Sequence, residues 1–462
     1  MSTTTTTVTP AAEKLDFKKV FPIFIIVLID LLGLTIIIPL LPLYATSFGA
    51  SASMIGLLGA AYPIMQFVGA PVLGRLSDRF GRKPVLLISQ VGTLIGFLVL
   101  GFANSLWLLF ASRLIDGLSG ANISTAQAVI SDVTTEKTRT QGLGLMGAAF
   151  GLGFVVGPVI AFASLTLSAN NYHVPAFIAV GFSAISILLT WFWLEETHGP
   201  DKRNTDQARP ALGFGAMIEA LQHPQVGLLL LLIFAQQVAF GGFEQILALF
   251  TLNRLGLNAS GNAVIFVFVG IIVVAVQGGL IGQWSRRWGD RRLIYLGLAT
   301  LMLGLALTAL TPRQPPPWYN TTAVTTELTP SDTGTRRLPG ETPPTYSLPI
   351  QLPSDANKGW LGLGWLLLAM IPASIGGGIL QPAINSMITK RVDSGERGGI
   401  LGISAAFLSG ANALAPLIGG AVFQWGGSSA PFWLWTAILG ILLFAAMRMI
   451  KPGREELAAQ PG

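Results

Sequence analysis

The chain has 462 residues, 52% of them hydrophobic and 11% charged, with a formal net charge of +6 and no cysteine. That balance excludes a soluble globular protein of this length, and the missing cysteines exclude disulfide frameworks and thiolate metal sites. Apolar runs of about twenty residues recur between short charged or Gly/Pro turns, the length of a membrane-crossing helix and too long for strands. The cations therefore have a topological role before any nucleic-acid role, and no nucleic-acid partner is expected.

Residues 1–19 open with a Ser/Thr run and read as a disordered tail. The first apolar run, Val20 to Leu43, is longer than a signal-peptide core and stays as a span. Further spans follow at 53–74, 84–103, 106–130, 141–165, 174–194, 226–252, 261–283, 292–312, 359–389, 396–424 and 429–450, twelve in all. Of the 28 lysines and arginines, 22 fall on the side of the first tail, five on the other, and Arg113 lies inside a span. This bias predicts a multi-pass protein of the cell (inner) membrane with both termini cytoplasmic. The three histidines, His173, His198 and His223, all lie near span ends, and no metal site is expected.

The spans repeat as two halves. Gly74-Arg-Leu-Ser-Asp-Arg-Phe-Gly81 is echoed by Gly282-Gln-Trp-Ser-Arg-Arg-Trp-Gly289 at an offset of 208, whereas Pro158 and Pro416 are 258 apart. About fifty residues are thus inserted in the second half, and they must be the Pro/Thr-rich stretch 313–358. The predicted organisation is a six-helix half at 20–194, a cytoplasmic linker at 195–225, a second half at 226–450 carrying the extracytoplasmic insert 313–358, and a tail at 451–462. With no apolar period, the insert is expected to be a mobile, dispensable loop.

No phosphate-binding Gly-Lys-Ser/Thr loop occurs, so no enzyme activity or cofactor is expected and a proton gradient is the energy source. Such work needs a group that changes charge inside the membrane, and the in-span ionisable residues are Asp30, Arg113, Asp116 and Glu244. Asp30 lies roughly 16 Å in from one face and Arg113 roughly 12 Å in from the other, so the two can pair. Asp116, one turn along from Arg113, is the alternative partner. Glu244 comes from the other half and has no cation in its own span. Gln66, Asn122, Gln127, Gln237, Gln381 and Asn385 are further polar candidates for a central cavity.

The turn Gly74, Leu76, Asp78, Arg79, Phe80, Gly81, Arg82 and Lys83 resembles the loop signature of the major facilitator superfamily. Around Asp30, the run to Gly33, Pro39 and Pro42 resembles the first span of that family's drug:proton antiporter branch. Leu109, Arg113, Gly117, Gly120 and Ala121 are similar to the branch's fourth-span motif, whose arginine is assigned to proton transfer; Asp116 replaces a frequent glutamine. Gly147, Gly151, Gly153, Gly157 and Pro158 resemble the antiporter signature, with Ala161-Phe162 in place of its closing glycines. Gln381-Pro382-Ala383-Ile384 and Gly398-Gly399 extend the likeness to tetracycline-efflux-type proteins. Those proteins carry acidic residues in spans three and nine and a histidine in span eight, where this chain offers neutral residues such as Gln90 and Gln277, which points away from tetracycline itself.

The resemblance implies an all-α membrane protein of twelve transmembrane helices in two pseudo-symmetric halves, working as a monomer by alternating access. It implies proton-coupled export of an amphipathic or cationic small molecule, with a proton symporter or facilitator importing a sugar or metabolite as the alternative. Asp30 with Arg113 and Asp116 is assigned to proton coupling, Glu244 to substrate charge, and Asp78 to a gate contact with the start of span eleven near Arg397.

Overall fold

The computed structural model describes residues 16–135, 138–199, 214–222, 226–329, 350–392 and 397–450. Among the described residues every regular element is helical. Eleven helices are long and apolar enough to cross a membrane. A further helical stretch runs as Leu106–Ser119, a tight turn at Gly120–Asn122, and Ile123–Val133, and supplies the fourth of twelve spans. The first span is also broken: Phe17–Ile37 ends just before Pro39, and the chain restarts as Leu41–Ser47 with proline in its first turn. Proline has no N–H and its ring clashes with the carbonyl four residues back, so the helix stops there. Residues 17–19, expected in the tail, form the first turn of span one.

The remaining spans are Ala52–Phe80, Arg82–Gly101, Arg139–Leu167, His173–Trp193, Gly227–Leu255, Ala259–Trp288, Asp290–Ala309, Leu361–Arg391, Arg397–Gly426 and Ala430–Met449. In the first half, span one packs on five and six, three on four and six, and two on four; seven to twelve repeat this pattern pair for pair. Each half turns between its second and third spans on one glycine, Gly81 at φ +104° and Gly289 at φ +77°, a backbone region that side chains disfavour.

Two seams join the halves, span two with eleven and span five with eight. At the first, Gly56 and Gly420 bring the backbones together: a methyl on Gly56 would strike the Pro416 carbonyl and the Gly420 Cα. Ala52 N–H donates to Gln424 Oε1 at 3.0 Å across the same seam. These contacts lie at the start of span two and the end of span eleven, on the face that carries the insert. On the opposite face, where span one starts and span twelve ends, methyls added at Gly74, Gly278 or Gly279 would meet nothing within 4 Å. The halves therefore close at the insert face and part toward the terminal face.

The insert differs from the expected loop. Its positions 330–349 lie outside the described residues, but 313–329 and 350–358 are folded against the bundle. Asn320 accepts a hydrogen bond from Ala323 N–H at 3.1 Å and starts the helix Thr321–Leu328. Val324 and Leu328 of that helix are buried, packed on Leu41–Ser47. One apolar pair four residues apart is too short a pattern to read as periodic, which is why composition alone hid it.

Candidate functional site

A cavity sits inside the first half between spans one to four. Asp30, Tyr62, Thr93, Phe97, Asp116 and Asn122 line it. Each polar group reaches it for a local reason. The turn at Gly120–Asn122 brings the Asn122 amide round to span one, where Nδ2 donates to Asp30 Oδ2 at 2.7 Å. The same turn exposes the Gly120 carbonyl, which accepts from Gln66 Nε2 at 3.1 Å, and Gln66 Nε2 also lies 3.3 Å from the Tyr62 hydroxyl.

Arg113 and Asp116 are both 2% exposed. Arg113 pairs with Asp116, Nη1 to Oδ2 at 3.1 Å, and not with Asp30. Of the two partners open to Arg113 in the sequence, the one three residues along its own helix has it. The guanidinium also lies 5.7 Å from the centre of the Phe97 ring, a cation–π contact in a dry setting. The pair is close without hydrogen-bond geometry: Asp116 Oδ2, Arg113 Nη2 and Asp30 Oδ1 are all buried with no hydrogen-bond partner among the described residues. Buried charges are ordinarily saturated with hydrogen bonds, because an unmet one costs the desolvation of the group. Asp30 Oδ1, Asp116 Oδ2 and Thr93 Oγ1, the unmet groups that line the cavity, leave room for a proton or ligand to be accepted there.

The other candidates are dispersed. Glu244 is half-buried on the face of span seven shared by Gln237 and Gly241, and has no hydrogen-bond or ion-pair partner among the described residues. Gln237 Nε2 donates to Asn412 Oδ1 of span eleven at 2.8 Å, and Ser404 Oγ donates to Asn385 Oδ1 at 3.1 Å. Gln381 is half-buried and Gln127 exposed. None of these lines the first-half cavity. Gln90 is buried and donates to Ser186 Oγ at 2.8 Å, joining span three to span six.

At the terminal face, Arg82 is 3% exposed and gathers its loop: it pairs with Asp78 at 2.6 Å and Asp132 at 3.1 Å, and donates to Ser77 Oγ at 2.7 Å. Arg79 lies over Phe80. Asp78 thus contacts its own half; the side chain of Arg397 lies outside the described ones. Glu196 caps span three, accepting from Arg82 N–H at 2.9 Å and Lys83 N–H at 3.2 Å. The span-five glycines do what close approach requires: Gly153 and Gly157 face Leu31 and Thr35 of span one, and Gly151 faces Val274 of span eight. Gly147 belongs to the same helix, which continues unbroken through Pro158.

Sequence reasoning missed Tyr62, Thr93 and Phe97 as cavity residues and Glu196 as a cap. Tyr62 stands one turn before Gln66 on the same face of span two, the one signal that pointed to it.

The sequence profile of the Major Facilitator Superfamily matches residues 23–327 and 358–462, leaving out most of the insert. The chain is 27% identical over 431 residues to the tetracycline resistance protein, class B, of Escherichia coli, covering 92% of this chain and 93% of that one. It is 28% identical over 284 residues to multidrug resistance protein 2 of Bacillus subtilis, covering 60% and 70% of the two chains. The fold matches the crystal structure of the human organic anion transporter MFSD10 (TETRAN) with a TM-score of 0.64 at 22% identity, over 94% of this chain and 100% of that one.

Proposed function

The chain belongs to the Major Facilitator Superfamily, and we propose that it is a proton-driven exporter of amphipathic or cationic organic molecules, working by alternating access. The observation that carries this reading is the buried, under-bonded set of Asp30, Arg113 and Asp116 at mid-depth in one half. A protein spanning a membrane has little reason to bury such charges except to move one. Relatives named for tetracycline and multidrug resistance support export over import.

In this reading the Asn122 amide holds Asp30 at the cavity wall, beside the Arg113–Asp116 ion pair. A proton delivered to Asp30 Oδ1 removes its charge, frees it from the need for a cationic or amide partner, and lets spans one and four shift against each other. Substrate enters the cleft at the terminal face, which the positive-inside bias assigns to the cytoplasm, and the unpaired carboxylate of Glu244 favours a cation there. The Arg82 cluster sets how far that face opens. One chain carries both halves and its own cleft, which supports a working monomer. Neutral Gln90, already committed to Ser186, supports a substrate other than tetracycline.

The test is a proteoliposome assay with an imposed pH gradient and a panel of lipophilic cations, neutral drugs and sugars. Counter-movement of protons and a lipophilic cation supports the proposal; co-movement of protons with a sugar replaces it with the import reading.

A further inference from the structure

We infer that the insert is a strap that holds the two halves together at the insert face, with Glu327 as its clasp. This rests on the alternating-access reading, in which that face must open in part of the cycle.

The strap is anchored on the second half. Tyr319 packs against the backbone of Gly256, at the end of span seven, and its hydroxyl donates to the Pro353 carbonyl at 3.1 Å. Asn253 Nδ2 donates to the Gln351 carbonyl at 2.9 Å, and Arg313 Nη2 reaches the carbonyls of Gln351 and Leu352 at 3.1 Å each. The two arms of the insert are tied to each other where Gly359 N–H donates to the Pro315 carbonyl at 2.9 Å.

From that anchor the helix Thr321–Leu328 crosses to the first half, burying Val324 and Leu328 against Leu41–Ser47. At its end the Glu327 carboxylate accepts from both halves. Asn170 Nδ2 at 3.2 Å and Tyr172 Oη at 3.3 Å come from the turn between spans five and six; Asn258 Nδ2 at 3.1 Å comes from the turn between seven and eight. The first-half side of the clasp is built to present these donors. Asn170 and its neighbour Ala169 hold positive φ values of 59° and 51°, rare for residues with side chains. Tyr172 is stacked on Tyr44 at 5.1 Å, and the Tyr44 hydroxyl donates to the Ala103 carbonyl at 2.6 Å. The turn between spans five and six cannot leave the turn between seven and eight without parting Glu327 from one set of donors, and the two–eleven seam opens at this face when each half swings away as a body.

The chain has no cysteine, so an introduced one reports alone. Ala52→Cys, at 3% exposure in the two–eleven seam, reads opening of the insert face; Gly279→Cys, with nothing within 4 Å of an added methyl, reads the terminal face. Maleimide labelling rates are measured in proteoliposomes with and without an imposed pH gradient. Adding Glu327→Ala, which removes the two bonds to the first half, is expected to raise the Ala52→Cys rate at least about fivefold, the net worth of one hydrogen bond, and to lower that at Gly279→Cys. Asn170→Ala, which removes one of the two first-half donors and leaves Tyr172, moves both rates in the same directions as Glu327→Ala does, but by less. Unchanged rates, or a rise at both positions as from general loosening, overturn the strap. Rates that the gradient moves in opposite directions, yet that ignore both clasp substitutions, overturn the strap and leave alternating access standing. Rates that no gradient moves overturn both.

Discussion

The two halves share a scaffold and divide the chemistry. At the repeat's offsets of 208 and 258, Arg82 answers to Asp290 and Asp132 to Lys390. The first pair is bridged at 3.1 Å and the second at 3.0 Å, the same contact with its charges exchanged. Ser77 donates beside one and Ser285 beside the other. Mid-membrane the correspondence fails. Asp30 answers to Val238, Arg113 to Ile371, Asp116 to Ser374 and Asn122 to Leu380, while Glu244 answers to Ile36. An ion pair stands at the turn of each half, where it braces that half's own helices. The buried Asp–Arg–Asp set stands in the first half only, and a second set would add its own desolvation cost.

The largest break in that comparison comes from Asp30→Asn. Neutralising the carboxyl proposed to carry the coupling proton is expected to drop gradient-driven export to the rate of empty liposomes while substrate binding survives. Substrate-induced proton release in detergent is the measurement. Release that persists in Asp30→Asn, together with release that vanishes for every substrate in Glu244→Gln, would move the coupling role to the other half.

The exchanged ion pairs come next. Arg82 is buried among Asp78, Asp132 and Ser77, so Arg82→Ala strands carboxylates and is expected to cost about 3 kcal/mol. In the other half the cation is Lys390, 55% exposed and free to return to water, so Asp290→Ala, which also strands the Ser285 and Ser386 hydroxyls, is expected to cost less, about 2 kcal/mol. Thermal unfolding in detergent orders the two. Rewriting the first half as the second, Arg82→Asp and Asp132→Lys together with Asp78→Arg to match Arg286, should recover most of the loss; if it recovers none, the turns are not equivalent.

A smaller effect belongs to Glu244. Its carboxylate has no partner among the described residues, so Glu244→Gln should fold as before and raise KM for cationic substrates about tenfold, leaving neutral ones unchanged. Equal effects on both substrate classes would make it a packing residue.

The scaffold was legible because it is written in long patterns. Twelve apolar runs, the charge bias and the two offsets each use tens of residues, and span ends moved by only a few positions. What was not legible depends on single side-chain directions. Asp30 and Asp116 were both in reach of Arg113, and only the helical geometry chose Asp116. Asn122 reached Asp30 because a tight turn at Gly120 redirected it, and nothing in the residue types announces that turn as distinct from ordinary helix. The insert was misjudged for a related reason. Its Pro/Thr content reads as loop, yet two apolar residues, one cap at Asn320 and the donors at Asn170, Tyr172 and Asn258 lie far apart in sequence, so only folding gathers them.

The smallest expected effect is a pH dependence at the strap, and its sign follows from burial. Burial raises the Glu327 carboxyl above its ordinary 4.5, against the lowering pull of Asn258, Tyr172 and Asn170. The facing groups do not titrate with it: the two amides are neutral, and the Tyr172 hydroxyl is itself held well above its ordinary value by burial. When the strap lifts off, Glu327 returns to water and to its ordinary value. The engaged strap therefore binds the proton more tightly than the released one, and acid favours engagement. That advantage is complete below 4.5 and is lost as pH rises through the raised value. The measurement is the Ala52→Cys labelling rate relative to the same probe carrying Glu327→Gln, a ratio that cancels the titration of the thiol. The ratio should stand near one in acid and climb with pH. A flat ratio would mean that Glu327 titrates alike in both states and is not parted from its donors when the seam opens.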